Sequence, residues 1–341
     1  MSRLPFQTRR DAIATLAGAA GAALVAPEAL AQESPAPAQP APLKRVTPEV
    51  AAAQSKQQRA RPLLCVYSGC LARIPYGQLS EIVKQMGYDG VDLTVMKGGH
   101  VDPSLYMVDL DRAFQTFQDA GLYLPMVTTS FISPSQPYAY AIFYVSAELG
   151  ARFCRLGTWP PPVATDAAGS NAAGSNPASL DAQRTQLMHN DLAQFASTGI
   201  RCGITPLLAN HAGSFPGRSI PEVDTMLTGF PATAIGYCFD PVQAVIEARA
   251  ANGWEPALQA ALPRLGAIAL SDVALEKDGS PRPCPLGEGV VDWKKFFAML
   301  AAAHFHGPVS MHMDYETRSE VNAMRKDLEF ARTRVEEAWP V

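Results

Sequence analysis

The sequence is short of several features that would assign it quickly. It has no apolar run long enough to cross a bilayer, so it does not read as an integral membrane protein. It has no glycine-rich fingerprint after its first strand-like run; Gly69-Cys70-Leu71-Ala72 stands there instead, which argues against a nucleotide-binding doubly wound sheet. It has no basic excess: the formal charge is −4, against nucleic acid or an anionic membrane surface as a partner. Cysteine occurs six times without the paired spacing of a metal or redox motif. Cys65, Cys154, Cys202 and Cys238 fall in apolar strand-like runs and are expected as buried thiols, while Cys70 and Cys284 do not. Cys202 with Cys238 is the pair to test for a disulfide.

What is present begins with an export pattern. Thr8-Arg9-Arg10-Asp11-Ala12, a weakly apolar Ala/Gly/Leu run to Val25 and the small-residue exit Ala29-Leu30-Ala31 have the order of a twin-arginine signal peptide over residues 1–31. The expected location is therefore the periplasm or beyond. Residues 32–61, rich in Pro, Ala and Gln, read as a disordered tether, leaving 62–341 as the folded part.

Eight short apolar runs recur in that part. They are Leu63 to Tyr67, Gly90 to Val95, Tyr123 to Thr128, Phe153 to Gly157, Arg201 to Leu208, Ile235 to Asp240, Ala267 to Asp272 and Pro308 to Met313. Near-continuous apolarity bounded by turns predicts parallel strands buried on both faces. Helical periodicity lies between them, in Tyr76 to Met86, Leu110 to Ala120, Leu180 to Thr198 and Trp293 to Ala303. The expected fold is an α/β single-domain (β/α)8 TIM barrel. Residues 164–179, with Ala-Ala-Gly-Ser-Asn twice, are expected as a flexible insertion.

Chemistry in such a barrel gathers at the C-terminal strand ends. Those ends bring Asp92 and Gly99-His100, Arg155-Leu156-Gly157, Asn210-His211, Asp240-Pro241, Ser271-Asp272, and His312 with Asp314 one strand period apart. The loop Pro285-Leu286-Gly287-Glu288-Gly289 displays one carboxylate between two glycines. Asp92, Asp240 and Asp272 equally suit turns and caps, and Asp292 suits the cap of the following helix.

Together, Gly87-Tyr88-Asp89-Gly90-Val91-Asp92-Leu93, Gly99-His100-Val101, Arg155-Leu156-Gly157, Asn210-His211, Asp240-Pro241, the Pro285–Gly289 loop and Gly307-Pro308-Val309-Ser310-Met311-His312 resemble the xylose isomerase-like barrel family. The resemblance implies a divalent metal on Glu, Asp, His and Glu at the ends of strands five to eight, and proton transfer next to a carbonyl. Carried over, the ligand positions fall on Ala209, Asp240, Ala269 and His312 (or Asp314), with Ser271 and Gln243 where relatives carry Lys and His. The usual four-ligand site is expected to be lost; a rearranged set of His211, Asp240, Asp272 and His312 would still suit Mn, Mg, Zn or Co. The resemblance thus implies a sugar or keto-sugar isomerase or epimerase, including elimination or hydration of a keto-sugar. In that reading His211, Asp240, Glu288 and His312 do the chemistry, while His100, Arg155, Asn210 and Asp272 hold substrate. A non-catalytic carbohydrate-binding or accessory protein is the alternative. The expected partner is a small carbohydrate, with no nucleic acid and no stable membrane insertion; a homo-oligomer remains open.

Overall fold

Backbone parallel pairing shows why the apolar runs repeat. The computed structural model describes residues 61–160 and 177–340. In chain order the strands are β1 (Leu64–Tyr67), β2 (Gly90–Val95), β3 (Tyr123–Thr129), β4 (Phe153–Arg155), β5 (Thr205–Ala209), β6 (Gly236–Phe239), β7 (Leu265–Leu270), the short pair β8 (Asp272–Leu275) and β9 (Pro281–Cys284), and β10 (Val309–Met311). Eight of them close a parallel barrel in the order β1-β10-β7-β6-β5-β4-β3-β2, and β8 and β9 form a separate antiparallel ribbon. The helices are α1 (Tyr76–Met86), α2 (Tyr106–Asp119), α3 (Ala139–Glu148), α4 (Pro177–Cys202), α5 (Ile220–Met226), α6 (Pro241–Ala248), α7 (Trp254–Ala261), α8 (Trp293–Ala302) and α9 (Glu320–Ala338). Every residue of β2 is buried, as a strand covered on both faces requires.

Register decides which side chains enter the barrel, because paired residues on neighbouring parallel strands share a face. Asp92 pairs with Met126, Thr128 with Arg155, Arg155 with Leu207, Ala209 with Cys238, and Ala269 with Ser310. Met126, Leu207, Cys238, Ala267 and Ala269 pack into an apolar plug inside the barrel, with Phe153 and Ala209 against it. A second, larger core lies between strands and helices, where Phe114, Phe143, Phe195, Phe239 and Phe296 are fully buried. The interior is thus filled, and only the strand ends are left for chemistry.

The (β/α)8 expectation and the eight strands hold, with local corrections. The expected fifth strand begins too early: Arg201 and Cys202 finish α4, Gly203 turns the chain at φ +79°, and β5 starts at Thr205. The β8–β9 ribbon is not foreseen, because Pro281 and Pro283 obscure it; β9 lies on an edge, where proline is tolerated. Residues 164–176 of the expected insertion, the signal peptide 1–31 and nearly all of the tether (32–60 of 32–61) lie outside the described residues; 177–179 belong to α4. All six cysteines are free. Cys238 sits in the barrel interior and Cys202 ends a helix, so that disulfide is not formed. No helix among the described residues is long and apolar enough to cross a membrane.

Candidate functional site

A carboxylate in the middle of a strand buried on both faces has to point into the barrel, and Asp92 does. It is fully buried, and it accepts bonds from Thr128 Oγ1 (2.8 Å to Oδ1, 2.9 Å to Oδ2) and from Ser310 Oγ (2.7 Å to Oδ2). Burial pushes its carboxyl up from 3.8 to about 6, against the opposing pull of Ser310, Thr128 and the Arg155 charge. Two hydroxyls and a nearby guanidinium let this site tolerate a buried carboxylate.

Arg155 enters the mouth from β4, half-buried, at the register of Thr128 and Leu207. Its charge acts on groups from four other strands or their ends: Tyr67, Asp92, Cys238, Asp240, His312 and Asp314. Asp240 follows β6 and caps α6, with Val242 N and Gln243 N donating to its Oδ1 at 2.9 and 3.1 Å. Burial raises its carboxyl to about 6, and the neighbouring Asp314 pushes the same way while the Gln243 amide and Arg155 oppose. His312 continues from β10, half-buried, with its ring stacked on Tyr67 at 4.1 Å and 11°. Burial and then Arg155 hold its imidazole well below 6.5, so at neutral pH it is uncharged. Asp314, exposed on the rim, completes a mouth of one guanidinium facing carboxyls from β2, β6 and the end of β10.

The other expected site residues are engaged elsewhere. Asn210 clamps the Asp240 backbone, Nδ2 donating to its carbonyl and Oδ1 accepting from its amide, both at 2.9 Å. His211 stays within its own turn, Nδ1 donating to Ala212 O at 3.1 Å and the ring 4.5 Å from Phe215. His100 is tied to the Thr94 hydroxyl and donates from Nε2 to Ile74 O at 3.0 Å. Asp272 is buried under the glycine loop; its Oδ2 accepts from Gly287 N (2.9 Å), Gly289 N (3.1 Å) and Trp293 Nε1 (2.8 Å), and its Oδ1 from Val273 N. Glu288 is exposed beside a cavity of about 310 Å³ outside the mouth, shared with Tyr315, Asn322 and Lys326. The expected eight residues therefore separate: Arg155, Asp240 and His312 stand at barrel strand ends, with the Arg155 charge acting on the other two, and the rest build turns, clamps and an outer groove.

One contributor, Tyr67, carries no signal in the sequence, and another, Asp92, stood among the strand-end candidates without an assigned role. Tyr67 ends β1 with no motif around it, and its role appears only once β1 pairs with β10. Asp92 carried a usable signal: a charge between Val91 and Leu93 in an otherwise apolar run has no outer face to occupy.

The four-ligand metal pattern does not fit this mouth. Its strand-five and strand-seven positions are Ala209 and the buried methyl of Ala269, which offer no donor atoms. The rearranged set is not assembled either, because Asp272 is saturated by loop amides and the Trp293 indole, and His211 turns back on its own loop. Among the described residues no three His, Cys, Asp or Glu side chains are grouped to hold an ion. The Arg155 charge already acts on the carboxyls that remain.

Solved structures share this architecture. A 3-keto-D-glucoside 4-epimerase from E. coli superposes with a TM-score of 0.59 at 14% identity, over 80% of this chain and 100% of that one. An L-ribulose 3-epimerase gives 0.58 at 13% identity, over 81% and 95%. A xylose isomerase-like TIM barrel protein from Mycobacterium smegmatis, in complex with magnesium, gives 0.60 at 14% identity, over 83% and 99%. No curated protein matches the sequence. The family model described as xylose isomerase-like TIM barrel matches residues 80–334, and the chain belongs to that family.

Proposed function

We propose that the barrel mouth binds a sugar or keto-sugar and moves a proton at a carbon next to its carbonyl, as an isomerase or epimerase does. The observation that carries the reading is the placement of Arg155, Asp240, His312 and Asp314 at the C-terminal ends of β4, β6 and β10, with His312 stacked on Tyr67 of β1 and the Arg155 charge acting on all three partners. The names of the similar structures, a 3-keto-D-glucoside 4-epimerase and an L-ribulose 3-epimerase, point to the same substrate class.

The chemistry follows from the charges. A carboxyl raised to about 6 is ionised at neutral pH yet basic enough to take a carbon-bound proton. Both capping amides bond Oδ1 of Asp240, leaving Oδ2 as the oxygen to receive it. The C–H electrons move into a carbon–carbon double bond, and the carbonyl oxygen gains the negative charge that Arg155 faces. Asp314, in its protonated form and on the far side of β7, returns a proton to the opposite face, inverting the carbon, or to the former carbonyl carbon while the hydroxyl proton passes to the former carbonyl oxygen, completing an isomerisation. Solvent then takes the proton from Asp240 and restores that of Asp314. His312 and Tyr67 form an aromatic wall for the apolar face of the sugar ring.

Alanine at two inward positions favours a second reading, a carbohydrate-binding protein without turnover. Export through the twin-arginine pattern would place either form outside the cytoplasm, where an unphosphorylated sugar is the natural ligand. Asp240→Asn tells the readings apart, since Asn still caps α6 and keeps the fold. Exchange of ketose C–H for deuterium should fall at least about 100-fold with calorimetric sugar binding kept. Binding with no exchange in the wild-type protein would establish the second reading.

A further inference from the structure

The family resemblance expects a dication at the ends of strands five to eight, and Arg155 of β4 is a permanent cation whose charge reaches those ends. Inward positions at the strand-five and strand-seven ends carry methyl groups, and Arg155, in register with Leu207 of the plug and with the Thr128 that bonds Asp92, brings a permanent positive charge whose field reaches Asp92, Asp240 and Asp314. Arginine cannot be deprotonated under any working condition, and its fork of donors matches two oxygens on adjacent carbons. Arg155 is held by the frame around it: it rises from β4 between Thr128 of β3 and Leu207 of β5, and Thr128 is fixed by its bond to Asp92.

Resting on the sugar reading above, we propose that Arg155 is the electrophile of this site and that the mouth works without a metal ion. Its N–H donors would bond the carbonyl oxygen and the adjacent hydroxyl oxygen of the substrate. When the base takes the carbon-bound proton, the developing oxyanion is stabilised by the guanidinium. No electron is lost or gained overall; one proton leaves carbon for the base and one, exchangeable with solvent, is returned to carbon. A divalent ion entering the mouth would be repelled by this cation and find too few donors to complete its shell. Asp92 is the positioning residue beneath it, holding Thr128 and Ser310 and balancing the charge.

The test uses the mature protein stripped with chelator. Mn2+, Mg2+ and Zn2+ are titrated into it calorimetrically, and deuterium exchange into a ketose and keto-sugar panel is followed with chelator present and with each metal added. The proposal expects no stoichiometric metal site, exchange and sugar affinity within about twofold with or without chelator, and at least a 100-fold loss of exchange in Arg155→Met with partial recovery in Arg155→Lys. One equivalent of Mn2+ bound and then lost in Asp240→Asn, or exchange abolished by chelator and restored by metal, would overturn it. Because Arg155→Met removes a half-buried cation, circular dichroism and the Arg155→Lys variant keep the comparison interpretable. Failure of the sugar reading looks different: neither binding nor exchange occurs in any metal state. The Mn2+ titration then decides by itself, one bound equivalent overturning the cation assignment and none sustaining it.

Discussion

Asp92 shows how a single residue ties stability to the site. The native carboxyl titrates at about 6 and the ordinary one at 3.8, so the native state holds this proton more tightly than the unfolded chain does. Its contribution is fully present below about pH 4 and is lost as pH rises through about 6. His312 works in the other direction: burial and Arg155 hold its imidazole below 6.5, so its share is lost as pH falls from 6.5 toward the depressed value. Comparing variants separates the two. In Asp92→Asn the loss of unfolding free energy between pH 4 and pH 7 should shrink by about 2 to 3 kcal/mol, read by chemical denaturation at fixed ionic strength. An unchanged pH slope would mean that Asp92 is ionised as easily in the native protein as in the unfolded chain. Of the charged residues, those at strand ends were readable from spacing, since a (β/α)8 pattern fixes which ends share a rim. Which of them turn inward was not readable, because Asp240, Asp272 and Asn210 sit in equivalent sequence contexts and differ only in the amides around them.

At the scale of elements, the β8–β9 ribbon and the glycine loop behave as one unit. Asp272 takes four donors on two oxygens, and a Cβ on Gly289 would overlap that same carboxylate. Asp272→Asn supplies one acceptor oxygen where two are needed, so it should cost about 2 to 4 kcal/mol. Gly289→Ala should cost about 1 to 3 kcal/mol through the same contact. The double variant is expected to lose clearly less than the sum of the single ones, measured in a double-mutant cycle. Additive losses would show that the loop and the carboxylate are independent. Glu288, exposed in the outer groove beside Lys326 and Asn322, belongs to the loop's outer surface, so Glu288→Gln should leave stability and exchange within about twofold. The Pro-Leu-Gly-Glu-Gly motif therefore marks the scaffold: its glycines matter for the buried aspartate beneath them, and Asp292 beside it caps α8 by accepting from Lys295 N at 3.0 Å. The ribbon itself was illegible because edge strands containing proline lack the apolar run that announced the barrel strands.

For the whole molecule, the barrel was legible because its strands are buried on both faces and its period of strand and helix repeats eight times. The site was legible in part: Arg155, Asp240 and His312 lie at strand ends where the fold concentrates chemistry, and the Arg155 charge acts on both of the others. Tyr67 and the bonds of Asp92 to Thr128 and Ser310 depend on pairings between strands far apart in sequence, which no local pattern encodes. What the closed barrel adds is a mouth with a fixed cation, raised carboxyls and an uncharged imidazole, held over an apolar plug. The most direct measurement is deuterium uptake from heavy water into a panel of unphosphorylated ketoses and keto-sugars by the purified mature protein, followed by proton NMR. The account predicts exchange at one carbon next to the carbonyl, rising with pH as Asp240 ionises near 6. No exchange into any member of the panel, with or without added divalent metal, would contradict it.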